Sequence, residues 1–207
     1  MQIDDSLLEA VDKLYRPTIK NIDAKHPKLL ILFSAPPSSG KSTIAQAIED
    51  HFKAIRLEAD AIRALAAKIN PESDLAWKSE LANRYIDYLR PQLAKDSPNG
   101  LWIIDSTIDM HHQKIFDFAK EQGFDMLVLA IKIPESLRRQ WIIETGDRPW
   151  ATAEKYIETM PHRKRQNEEF LARHKADFYI EQPGFKIEDI YDCISKKLAL
   201  PSHHSIN

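Results

Sequence analysis

Residues 29–45 read LLILFSAPPSSGKSTIA, and the order of residue types within them decides the fold. Leu29–Phe33 is an unbroken apolar run of strand length. A run without alternation suits a strand covered on both faces, as in a parallel sheet between helix layers. A short loop covers residues 34–40, after which Ile44, Ala47 and Ile48 take up helical spacing. Gly40-Lys41-Ser42-Thr43 stands at the turn, matching the end of the phosphate-loop pattern G-x-x-x-x-G-K-[ST]. Such a loop works because backbone N–H groups converge on phosphate oxygens at a helix N-terminus, where the dipole also favours anions. Ala35 replaces the first glycine of the pattern, and Pro36 and Pro37 donate no N–H. The cradle therefore falls to Ser38, Ser39, Gly40, Lys41, Ser42 and Thr43. Lys41 would reach the outer phosphates, and the Ser42 hydroxyl would ligate Mg²⁺.

The pattern on either side alternates strands and helices. Strands are expected at Leu29–Phe33, Ala54–Glu58, Leu101–Ile104, Met126–Ile133 and Asp177–Glu181. Ser6-Leu7-Leu8-Glu9 reads as a capping box opening a first helix. Further helices are expected over Asp60–Ile69, along the Trp77, Leu81, Tyr85, Leu89, Leu93 stripe, and around Ile115, Phe118 and Ala119 up to Gly123. Pro91 is expected to kink the second of these in its last turn. After the fourth strand comes a helix from Glu135, then a Gly-Asp-Arg-Pro break at residues 146–149. Two polar helices, Ala151–Met160 and Arg163–Lys175, and a closing helix over Lys186–Leu200 complete the chain. The expected fold is α/β: a five-stranded, mostly parallel sheet in a three-layer sandwich with helices. Residues 1–27 form a helical extension, 28–200 the domain, 135–175 a charged helical lid, and 201–207 a frayed tail.

A chain of 207 residues suits one domain with a core of its own, and a single cysteine excludes a disulfide framework. Twenty-nine Lys and Arg against 31 Asp and Glu is not the balance of a general nucleic-acid binder. No apolar run approaches the roughly 20 residues that cross a bilayer, and the acidic N-terminus lacks a signal-peptide pattern. A cytoplasmic location is expected. Cys193 reads as a core residue. The adjacent pairs His111-His112 and His203-His204 lack metal-ligand spacing.

Four groups of residues carry candidate chemistry. Asp60 follows the second strand, where strand carboxyl ends line the ligand crevice of a parallel sheet. There it can take the proton of an attacking hydroxyl, or simply cap a helix. Arg63, one turn on, can hold an anionic part of an acceptor or pair with Asp60. Asp105 ends the third strand, where an acidic residue helps Ser42 hold Mg²⁺. Arg138, Arg139 and Arg148 follow the fourth strand and are candidates to reach the γ-phosphate when the lid closes. Arg163, Lys164, Arg165, Arg173 and Lys175, interrupted by Glu168 and Glu169, read first as a solvated charged face and second as a docking surface for an anionic acceptor.

These pieces, in this order, resemble the small P-loop kinases grouped around the polynucleotide 5′-hydroxyl kinase domain. More loosely they resemble the zeta-toxin and chloramphenicol phosphotransferase kinases. The resemblance rests on APPSSGKST (35–43), EADAIR (58–63), WIIDST (102–107) and LVLAIKIPESLRR (127–139). GDRPWATAE (146–154) resembles the end of the lid in the chloramphenicol-type kinases. Ser38 replaces the glycine usual after the loop proline in the polynucleotide kinases. The resemblance implies a P-loop fold, ATP with Mg²⁺, and transfer of the γ-phosphoryl group to a hydroxyl on a small molecule or nucleic-acid end. It implies Asp60 as base, Arg63 as acceptor grip, and a lid arginine at Arg138 or Arg139. Two other readings stand beside it: a non-catalytic nucleotide-binding module, and a kinase-type toxin or effector.

Overall fold

A computed structural model describes residues 2–19, 26–97 and 99–199. The proposed tail, His203-His204, Leu200 and Pro98 lie outside the described residues. In chain order the elements are α1 (Asp5–Tyr15), β1 (Leu29–Ser34), α2 (Lys41–Phe52), β2 (Ile55–Glu58), α3 (Ala59–Ile69), α4 (Leu75–Asp96) and β3 (Leu101–Thr107). They continue with α5 (His112–Gln122), β4 (Asp125–Lys132), α6 (Glu135–Thr145), α7 (Ala153–Arg173), β5 (Phe178–Glu181) and α8 (Ile187–Ala199).

The five strands form one all-parallel sheet in the order β2-β3-β1-β4-β5. β1 is central because its residues are apolar on both pleat faces, and all six are buried. Leu30 and Leu32 face one core layer with α1, α3, α4 and α5. Leu29, Ile31 and Phe33 face the other, with α2 and α8. The three-layer α/β sandwich follows from that division. Each such side chain contributes about 1.5–3 kcal/mol by leaving water. The chain leaves β1 towards β2 and β3 on one side and β4 and β5 on the other. The carboxyl end of β1 is thus the topological switch point, where ligands of open parallel sheets bind.

Several local expectations change. The cap of α1 is Asp4, whose carboxylate accepts from the Leu7 N–H at 3.0 Å, while Ser6 donates to Asp4 instead of capping. β3 runs past Asp105 to Thr107. The two helices expected after the Gly-Asp-Arg-Pro break are one, α7, with Pro161 inside it. Pro91 likewise lies inside α4, which continues to Asp96.

The lower half of α7 is fixed to the body. Phe170 is buried in the core among residues from the sheet and α5. Asn167 donates to the Ser34 hydroxyl at 2.8 Å and to Asp109 at 3.1 Å, and Ser34 donates to Asp109 at 2.8 Å. Burial raises the Asp109 carboxyl above its usual range, against the lowering effect of these donors. Asn167→Ala removes two bonds and leaves buried acceptors short of donors. Urea unfolding should show a loss of about 1–3 kcal/mol. An unchanged midpoint would mean that the network adds nothing to docking of α7.

Candidate active site

The loop between β1 and α2 takes the shape an anion site needs. Gly40 has φ +84° and Ser38 φ +58°, both left-handed, the backbone form in which anion-binding concavities of N–H groups are built. A side chain at Gly40 would be strained by that φ, and its Cβ would meet Gln182 at 3.4 Å and Trp141 at 3.7 Å. The Ser39 hydroxyl is buried with no partner among the described residues. Lys41, at the first position of α2, is half-buried and has no hydrogen bond to another described residue.

Ser42 donates to Asp105 Oδ1 at 3.0 Å. The hydroxyl and the carboxylate, side by side at the start of α2, are hard oxygen donors that fit Mg²⁺. The other Asp105 oxygen is held by Arg56, through Nε at 3.0 Å and through Nη2. Arg56 was not foreseen as a site residue. It also bonds Gln46 at 2.6 Å and lies 3.4 Å from Glu58 and 3.7 Å from Glu49. Burial works against its charge, but Asp105, Glu58 and Glu49 outweigh burial and raise its pKa. Burial and the neighbouring carboxylates Asp105, Asp60 and Glu49 raise Glu58. A charge on a strand beside buried positions is the signal that points to such a paired cluster.

Asp60 lies in the first turn of α3 and does not cap it; the cap position is Glu58, with no side-chain bond. Its carboxylate accepts from Arg63 through one oxygen and from Arg148 at 3.1 Å through the other. Burial pushes the Asp60 carboxyl up, but Lys41, Arg63 and Arg148 together hold it below its usual range.

The arginines after β4 separate. Arg148 reaches Asp60 from the α6–α7 break and stacks near Trp150 and Tyr156. Arg138 is buried under α7, donating to the Met160 carbonyl at 3.4 Å, and burial lowers its pKa. It does not face the loop. Arg139 is exposed on α6 and lines neither site cavity. The face of α6 turned to the loop carries Trp141 and Thr145. Arg163 faces the site too, where the sequence favoured a solvated face over a docking surface for an anionic acceptor.

Two cavities meet over Lys41. One, of about 440 Å³, is lined by residues 38–44 with Trp141, Thr145, Gln182 and Phe185. The other, of about 140 Å³, lies between α3, α4 and α7 and is lined by Arg63, Asn83, Tyr156 and Arg163 among others. Ser38, Lys41, Asp60 and Arg148 line both. Among the described residues, no cluster of three or more His, Cys, Asp or Glu fits a metal ion, and no helix is long and apolar enough to cross a membrane.

The family model described as an AAA domain, AAA_33, matches residues 30–166. No curated protein matches the chain. Solved structures share the fold. A structure of the PezAT chromosomal toxin–antitoxin system of Streptococcus pneumoniae superposes with TM-score 0.59 at 16% identity, over 83% of this chain and 74% of that one. Shikimate kinase from Bacteroides thetaiotaomicron gives 0.53 at 11% identity, over 83% and 99%. The tunicamycin resistance protein of Deinococcus radiodurans gives 0.53 at 14%, over 84% and 97%.

Proposed function

We propose that this chain, which belongs to the AAA domain family AAA_33, is a kinase that moves the γ-phosphoryl group of ATP to an alcohol oxygen of a separate acceptor. The observation that carries this reading is the pair of cavities sharing one wall of Ser38, Lys41, Asp60 and Arg148. A nucleotide-binding module needs the first cavity but not the second, nor a carboxylate between them. The resemblance to the polynucleotide kinase domain supports an alcohol as acceptor.

In this reading residues 38–43 hold the phosphates, and Trp141 and Phe185 border the nucleotide. Ser42 and Asp105 hold Mg²⁺, which spreads the charge of the outer phosphates when bound. Lys41, joined by Arg148 when the lid is closed, supplies positive charge where the transferred group passes. Asp60 orients the acceptor hydroxyl and takes its proton as the new O–P bond forms and the bond to ADP breaks. The moving part of the lid is α6 with the 146–152 break, because Asn167 and Phe170 anchor the rest of α7. A cytoplasmic location accords with this chemistry.

Incubation with γ-labelled ATP, Mg²⁺ and panels of sugars, nucleosides, nucleic acids and metabolites tests the proposal. Label must appear on an alcohol. Nucleotide binding with no label transfer to any acceptor would count against it. The arginines give a second check. Arg148→Ala should lower kcat about 10²-fold while changing the KM for ATP much less. Arg139→Ala should change neither, and Arg138→Ala should lower the melting temperature through the contact with α7. Equal kinetic losses in all three would remove the special role of Arg148.

A further inference from the structure

We infer that the acceptor is a small molecule bearing its own anionic group, a carboxylate or a phosphate, and that Arg163 holds that group in the smaller cavity. This rests on the kinase reading above and narrows its substrate class.

Size comes first. The smaller cavity measures about 140 Å³ against about 440 Å³ beside the phosphate loop, roughly one third (140/440). If the larger takes a nucleotide, the smaller encloses a group well below nucleotide size.

Charge comes second. Lys41, Arg63, Arg148 and Arg163 line the smaller cavity, and Asp60 is the one carboxylate among its lining residues. Arg63 and Arg148 are both engaged by Asp60. Lys41 stands on the wall shared with the larger cavity, where nucleotide phosphates would meet it. Arg163 is left over. Its guanidinium donates to Gln166 Oε1 at 3.2 Å and contacts the Met110 sulfur, both neutral. No carboxylate lies within ion-pair distance of it among the described residues. Burial and the charge of Arg63 lower its pKa, against the weaker attraction of Tyr156 and Asp109. Holding a half-buried cation with no directly paired counter-ion is costly, and an anion beside it offsets that cost. A guanidinium pairs with carboxylate or phosphate through two parallel hydrogen bonds, which fixes orientation as well as position.

The placement is rigid. Asn167, one helical turn beyond Arg163, is bonded to Ser34 at the end of β1 and to Asp109 just after β3. Arg163 is thus held at a set place relative to the phosphate loop, as a group that positions an acceptor must be. Ser79, Asn83 and Thr159 add neutral hydrogen-bonding groups to the same wall, suited to further hydroxyls on the acceptor.

The test has a binding arm and a transfer arm. In the first, the protein is loaded with ADP and Mg²⁺ and the Arg163 Nε–H resonance, assigned through Arg163→Lys, is followed by NMR. Inorganic phosphate and sodium acetate are added separately, with sodium chloride as control. A saturable shift with phosphate, acetate or both is expected, and the stronger of the two identifies the anionic group. Shifts no larger than with chloride would overturn the inference. In the second arm, labelled ATP is offered with glycerol, glycerate and glycerol 3-phosphate. Transfer should favour a charged member. Arg163→Gln should raise its KM about 10- to 100-fold with a much smaller effect on kcat, and Arg163→Lys should recover part of the loss. Preference for glycerol, unaffected by Arg163→Gln, would also overturn the inference. An anion shift at Arg163 with no transfer to any alcohol would uphold the anion site and count against the kinase.

Discussion

Lys41→Ala is expected to lower turnover on the order of 10³-fold, with a large loss of ATP affinity and little change in stability. Three features of the structure set that expectation. Lys41 lies on the wall common to both cavities, so its ammonium can follow charge moving from nucleotide to acceptor. It has no hydrogen bond to another described residue, so removing it breaks no visible support of the fold. Its position at the first turn of α2 adds its charge to the helix dipole and the loop's N–H groups. Isothermal titration with ATP, steady-state kinetics and a thermal melt read the three consequences separately. A variant that binds and turns over ATP like the wild type would remove the phosphate-loop assignment.

Asp60→Asn should cost on the order of 10²–10⁴ in kcat with ATP binding largely kept. The amide preserves the shape of the side chain but takes no proton and pairs less strongly with Arg63 and Arg148. Because those cations and Lys41 hold the carboxyl below its usual range, Asp60 stays ionised through neutral pH. The acid limb of kcat/KM should therefore not fall near pH 6, as it would for a histidine base. The same shift carries a stability consequence. A carboxyl whose folded pKa is depressed stabilises the fold above its unfolded pKa and loses that contribution as pH falls through the folded value. Asp60→Asn should thus be less stable than wild type near neutrality, and the two should converge below about pH 4. Urea unfolding at several pH values measures the gap. A wild-type rate in Asp60→Asn would leave Asp60 as a structural anchor for two arginines and turn attention to Glu58.

The outcome for each residue traces to the range of the interaction that places it. β1 was legible because an apolar run with no alternation has few alternatives to the middle of a parallel sheet, and neighbouring strands then follow. The meeting of the loop residues 38–43 with Asp105 could be read from the sequence because they sit at strand ends, where topology fixes the direction they face. Arg138 and Arg163 were not legible. Both are arginines on charged helices, and which one turns inward depends on how α6 and α7 pack, a long-range property. Pro161 misled in one respect: it removes a hydrogen bond, and packing of the surrounding helix outweighs that loss. The Arg56 cluster was hidden because Ile55-Arg56-Leu57-Glu58 alternates as an edge strand does, and β2 is an edge. That alternation does not tell that Arg56, only 9% exposed, folds back onto Asp105.

The hydroxyl of Tyr15 accepts from the Glu58 N–H at 2.7 Å, two residues before Asp60. That single contact bears on where this protein can be cut. A gene trimmed to the matched span of residues 30–166 would encode residues 38–44, Asp60, Asp105, Arg148 and Arg163, but not Gln182 and Phe185 of the larger cavity. It would also lack α1, β5, α8 and Phe170, and so strip cover from both faces of the sheet. The unit that must be synthesised for the chemistry to work is larger than the unit a family profile outlines.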